Sequence, residues 1–239
     1  QMAYTFSRSI ETDSEPFGGG AGELQGSMEV NNLRLDRGLS AFDAPHRLTG
    51  TFIWEVPFFR QASGVTAALL GGWQVNGILA IQSGFPFTVT TSEDYNLDGV
   101  FTDRPNAIVA IERNVGGSNP SQYLDGVFGG IDNWTTLFRP APAGSTPLLG
   151  RNTFRGPNYA SIDGSLFKEF RLAKVSNENL RIQFRTEFFN LTNRVNLRNV
   201  SNSLGTFNAT TQRWSNVNFG RSVSAFEGRQ IQFALKVLF

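Results

Sequence analysis

Six stretches of this sequence alternate apolar and polar residues, and the connections between them are by turns short and long. A period of two is the mark of a strand with one apolar and one polar face. The stretches cover 1–10, 45–57, 65–90, 159–172, 179–192 and 228–239. In the last, Arg229, Ile231, Phe233, Leu235, Val237 and Phe239 share one face, opposite Gln230, Gln232, Ala234, Lys236 and Leu238. The fifth is the most regular: Leu180, Ile182, Phe184, Thr186 and Phe188 oppose Arg181, Gln183, Arg185 and Glu187. In the second, Leu48, Gly50, Phe52, Trp54 and Val56 oppose Arg47, Thr49, Thr51, Ile53 and Glu55. The first puts Met2, Tyr4, Phe6 and Ile10 on one side; the third puts Val65, Ala67, Leu69, Trp73, Val75, Leu79 and Ile81 opposite Gln74, Asn76 and Gln82. The fourth departs from the pattern, with Lys168 among Ile162, Leu166 and Phe170, and Phe167 among the polar residues. Either a bulge shifts the phase there, or the lysine reaches to a membrane interface. The turn that follows favours the interface.

Alternation alone suits a soluble β-sandwich and a membrane barrel equally; the connections separate them. FFRQASG joins stretches two and three and AKVSNEN joins four and five, whereas 11–44, 91–158 and 193–227 are long. Outer-membrane barrels have short periplasmic turns and long extracellular loops by construction. Loops of this length are uncommon within compact soluble domains. The reading is therefore all-β, an antiparallel up-and-down transmembrane barrel segment with long extracellular loops. No apolar run approaches the ~20 residues of a membrane helix, and barrel strands do not need one. With the short turns periplasmic, the last strand runs downward and Phe239 ends at the lower rim. Trp54, Phe58 and Phe59 fall in the lower aromatic girdle, and Phe85 and Phe87 lie above the outer interface. Arg47, Arg181, Arg185, Glu187, Gln230 and Gln232 then line the lumen.

Composition excludes several functions. Lys and Arg number 21 against 20 Asp and Glu, so no excess positive charge points to nucleic acid. Cysteine is absent and histidine occurs once, which removes disulfides, thiolate metal sites and thiol nucleophiles. QMAYTFSRSI lacks the basic start and apolar core of a signal peptide and reads as a strand. A piece of a longer protein is the expectation.

Six blocks, FDAPHRLTGTFIWEVPF, GGWQVNGILAIQSGFPFTV, DGVFTDRPN, LLGRNTFRGPNYASIDGSLFKEF, LRIQFRTEFFNLTNRVN and RQIQFALKVLF, occur in that order. Together with AYTFSRSIETDS they resemble the carboxy-terminal end of TonB-dependent outer-membrane receptors, most closely the Oar-like (carboxypeptidase-regulatory-like) branch. The resemblance spans 1–239. It implies a barrel of roughly 22 strands, of which this chain supplies about the last six, below the usual minimum of about eight for closure. It further implies an amino-terminal plug and a TonB box elsewhere in the protein, coupling to the TonB complex, and a bulky solute as cargo. Phe239 would belong to the signal read by the barrel-assembly machinery, and outer-membrane lipid would surround the apolar face. The alternative is a surface structural or adhesive protein whose long loops bind partners without transport.

Among chemistry-bearing residues, DYNLDGVFTD stands out. Asp94, Asn96 and Asp98 occupy positions one, three and five of a calcium loop, with Gly99 at six, the Val100 carbonyl at seven and Asp103 at ten. Position twelve is Pro105 where an EF-hand has Glu, so calcium and a plain Asp/Asn/Gly turn both remain open. His46 with Asp43 lacks a nucleophile and reads as a hydrogen bond at the rim, and EPFGGGAGELQG lacks the ending of a phosphate loop. Arg185 and Glu187 are expected to pair with each other or with a plug. Arg104-Pro105 and Arg155-Gly156-Pro157 read as loop-folding elements. No constellation supports an enzyme, and no cofactor beyond the possible calcium is called for.

Overall fold

The structure, a computed structural model, describes residues 1–12, 28–29, 32–59, 63–99, 101, 103–107, 137–171, 181–222 and 224–238. Phe239, Val100, the glycine-rich stretch from 15 to 26 and the turn at 173–179 lie outside the described residues. Six strands form one sheet: β1 (Met2–Phe6), β2 (His46–Glu55), β3 (Trp73–Gln82), β4 (Tyr159–Arg171), β5 (Arg181–Phe189) and β6 (Gln230–Leu238). Their order in space is their order in sequence, and every neighbouring pair is antiparallel. The meander is open, with β1 and β6 as its edges.

Register fixes the faces, because directly opposed residues of an antiparallel pair point to the same side. Ile182, Phe184, Thr186 and Phe188 of β5 stand opposite Val237, Leu235, Phe233 and Ile231 of β6. Leu166 and Phe170 of β4 join them through Thr186 and Ile182, and Val75, Leu79 and Ile81 of β3 through Leu166, Ile162 and Ala160. Leu48, Phe52 and Trp54 of β2 and Met2 and Tyr4 of β1 complete one continuous apolar face. The register runs unbroken through Lys168, so there is no bulge. Lys168 stays on the apolar side, 2 % exposed, and its ammonium donates to the Gly71 carbonyl beside the Trp73 and Phe170 rings.

Gly77 and Phe52 are directly opposed on this face. A Cβ built on Gly77 would lie 2.1 Å from Cε1 of Phe52, so the ring fills the space the glycine leaves. Gly77→Val is expected to destabilise the sheet by ~1–3 kcal/mol through overpacking, and Gly77→Val/Phe52→Ala to recover most of it in urea unfolding. Equal midpoints for the single variant and the parent would remove this role.

One expectation fails. The stretch 65–90 is not a single strand: Gly64–Leu70 form a helix, α1, only Trp73–Gln82 join the sheet, and Pro86–Phe87 pair instead with Phe154–Arg155. Ala67, Ala68, Leu69 and Leu70 are strong helix formers. The helix closes at Gly71, whose amide bonds to the Ala67 carbonyl, and Gly72 turns the chain with φ +70°. Beyond β3, a Cβ on Gly84 would meet the Gly156 carbonyl oxygen at 1.8 Å. The two backbones touch there, and the chain leaves the sheet. Likewise, the first stretch ends as a sheet strand at Phe6, and Ile10–Glu11 pair with Gly38–Leu39.

The buried hydrophobic cluster lies outside all six strands. Phe87, Val89, Tyr95, Phe138, Ala141, Leu149, Phe154, Leu204, Trp214 and Phe219 come from the connections 83–158 and 190–229. Phe138 packs edge-on against Phe154 and Phe219, with centroids 6.2 and 5.8 Å away, and its carbonyl accepts from Trp214 Nε1 at 3.1 Å. Backbone bonds from Thr90 to Asn202, Leu204 to Thr90 and Ser92 to Gly205 knit the two connections together. The long loops are thus a packed cap over one end of the sheet.

Candidate functional site

Three surfaces are candidates: the two faces of the sheet and a cleft under the cap. Among the described residues, no second layer covers the apolar face. Phe233 and Leu235 are 70 % and 67 % exposed, and Phe52, Trp54, Ile81, Ile231 and Val237 are exposed as well. Burying such a side chain is worth about 1.5–3 kcal/mol. Ile231, Phe233, Leu235 and Val237 are 50–70 % exposed, so leaving them in water forgoes roughly 4–7 kcal/mol, a large part of the stability of a domain. Hydrocarbon is the solvent that removes this cost.

The opposite face gathers the residues expected to line a lumen. Arg47, Arg181, Arg185, Glu187, Gln230 and Gln232 all share it by register. Arg185 pairs with Glu187, Arg181 with Glu169 at 3.5 Å, and Gln230 donates to Glu227 at 3.3 Å. Glu187 is opposed by Ser165 on one side and Gln232 on the other. Asn76 donates to Ser165 at 3.1 Å, extending a polar ladder across β3, β4 and β5. The arrangement presents hydrogen-bonding groups and charges of both signs.

At the loop end, the residues at calcium-type spacing hydrogen-bond to one another and to neighbouring amides. The Asp94 carboxylate accepts from the amides of Asp98 and Gly99 at 3.1 and 2.8 Å. Asp103 Oδ2 accepts from the amides of Tyr95 and Asn96 at 2.7 and 3.0 Å, and Asn96 Nδ2 bonds to Asp98 at 3.1 Å. Burial pushes the Asp103 carboxyl up from the ordinary carboxylate value, against those two amide bonds, and Asp98 and Asp94 push the same way. Burial and the bond to Glu93 push the Tyr95 phenol up. Among the described residues, no group of three or more Asp, Glu, His or Cys side chains is gathered as a metal would need.

His46 and Asp43 do not meet: His46 Nδ1 shares a hydrogen bond with the Tyr4 hydroxyl at 2.8 Å, and Asp43 accepts from Ser9 N at 2.6 Å and from Arg155. Arg155 also bonds the Asp43 and Gly84 carbonyls at 2.9 and 3.1 Å, tying the first long connection to the second. Arg104, 1 % exposed, does the same through Asp36 at 3.2 Å and the Leu35 carbonyl at 3.0 Å. The two arginine-proline elements are therefore staples between loops, as their sequence suggested.

No sequence signal marks the cleft that the Arg155 staple borders. Its volume is about 1190 Å³, and it opens at the loop end of β1–β4. Among the described residues, Arg8, Arg37, Arg151, Arg155 and Arg194 line it against one carboxylate, Asp43. They come from all three long connections, so no local spacing could have revealed them.

The sequence model of a family described as outer membrane beta barrel domain matches residues 1–232. No curated protein and no solved structure matches the chain.

Proposed function

Since the chain belongs to the outer membrane beta barrel domain family, we propose that it forms part of the wall of a TonB-dependent receptor of the Oar-like branch, moving a bulky solute across the outer membrane. Its place is the outer membrane, and its strands are the elements that cross it. The observation that carries the proposal is the two-sided sheet: a bare apolar face for lipid backed by a laddered polar face, Arg47, Arg181, Arg185, Glu187, Gln230 and Gln232, for a lumen. An open edge in hydrocarbon strands backbone donors and acceptors. In this reading β1 and β6 therefore pair with staves from the rest of the protein, which also supplies the plug and the contact with the TonB complex. Phe239 serves the assembly machinery. No catalytic step is assigned to any residue.

Photo-crosslinkers at 185, 187 and 232 of the full-length protein test this. They are expected to capture its own plug, while those at 184 and 233 capture lipid, and the protein is expected to retain the periplasmic domain of TonB on purification. Lumen positions that capture no plug, in a protein indifferent to TonB, would sink it. The second reading, a surface adhesin, draws on the cap, whose buried Phe138, Phe154 and Phe219 make it a rigid platform. In that reading no plug is present.

For the Asp94–Asp103 turn we propose closure by its own amides rather than by a cation. Asp103→Ala orphans the buried Tyr95 amide and the half-buried Asn96 amide and is expected to raise protease cleavage of the loop about tenfold or more. Millimolar calcium leaves wild-type cleavage unchanged, and calcium protection of the wild type would reverse the assignment. Because its carboxyl is raised, Asp103 takes up its proton in the folded loop before the unfolded chain does. Loop protection should therefore rise as pH falls from neutral towards the ordinary carboxylate value of 3.8. Protection that instead falls over that window would contradict it.

A further inference from the structure

We propose that the cleft beneath the cap binds a soluble polyanion carrying at least two phosphate or carboxylate groups. The inference rests on charge that the described residues leave unbalanced in a concave space. Asp43 is consumed by Arg155 and the Ser9 amide. Arg151 faces Glu11 at 3.9 Å and two backbone carbonyls. Arg8, Arg37 and Arg194 are exposed and, among the described residues, have no acidic partner, yet all three line the same cleft. Guanidinium groups suit bidentate recognition of carboxylate and phosphate. Three of them, brought from two loops, match a ligand with several anionic groups better than one with a single charge. A cleft whose walls carry mostly one sign also concentrates its counter-ion and speeds capture.

The volume of about 1190 Å³ exceeds the ~300–1,000 Å³ of most small-molecule pockets. It suits a bulky solute. The proposal adds a solute class to the receptor reading and rests on it for the direction of travel, yet the two fail separately. Binding in the cleft is measured on purified protein, whereas transport is measured by its dependence on TonB.

The test uses the full-length protein in detergent at low salt, with pyrophosphate and citrate as charged probes and raffinose as a neutral one. Pyrophosphate or citrate is expected to bind and raffinose not to. Each of Arg8→Gln, Arg37→Gln and Arg194→Gln should weaken binding about tenfold, and the triple variant should abolish it. Arg213→Gln, exposed and outside the cleft, should bind as the parent does, and heat-modifiable migration of all variants should be unchanged. Absence of binding by the parent, or equal affinity in the triple variant, overturns the proposal. Binding of lipid A micelles with neither soluble anion bound also overturns it, since the arginines would then serve the membrane surface.

Discussion

Phe233→Arg in the full-length protein is expected to cost about 2–4 kcal/mol of stability in lipid vesicles, while Gln232→Arg costs almost nothing. The two residues are adjacent and both are exposed. If water bathed both faces, both substitutions would fall within about 0.5 kcal/mol of neutral. The difference comes entirely from the solvent. Arginine at 233 projects from the middle of β6 into hydrocarbon, whereas arginine at 232 meets Glu187 across the ladder on the polar side. Urea titration in vesicles, with heat-modifiable migration as the readout of assembly, measures both. Equal and small effects would refute a lipid-facing β6.

Arg104→Ala is expected to be the most damaging change in the cap. It leaves the Asp36 carboxylate, 8 % exposed, without its guanidinium. Breaking a buried pair from one side typically costs about 3–5 kcal/mol. Burial pulls the Arg104 pKa down against the pull of Asp36, so the guanidinium is desolvated as well as paired. In intact cells, Arg104→Ala should expose the loops to added protease while the barrel still migrates as folded, because neither partner belongs to the sheet. Arg104→Met/Asp36→Leu, which removes both charges, should restore much of the protection. Loops as resistant in the single variant as in the parent would show that the cap does not depend on this staple.

The sheet was legible in the sequence because strand faces are a local property. Ile182, Phe184 and Phe188 declare their side by parity, and the register with Ile231, Leu235 and Val237 reproduces it. That Arg47, Arg181, Arg185, Glu187, Gln230 and Gln232 share the opposite face was legible for the same reason. The run Val65–Leu70 was not, because a short apolar stretch suits a strand and a helix alike. Only the Gly71–Gly72 ending marks the helix. Nor was the cap legible. Trp214 finds the Phe138 carbonyl and Arg104 finds Asp36 across connections far apart in the chain, and such pairings leave no periodic trace. The arginines of the cleft were individually visible but collectively hidden. The Asp94–Asp103 turn was found by its spacing, whereas the use of its oxygens by neighbouring amides was not.

The aromatic cluster of the cap has a consequence for how the protein stays where it is put. Phe154 belongs to one connection and Phe219 to another, and both pack on Phe138, so the cluster forms only once both segments lie on the same side of the membrane. Once they meet, withdrawal of either hairpin would mean dragging a formed knot of rings back through the bilayer. Packing between the connections would thus oppose withdrawal of either hairpin without any contact inside the membrane.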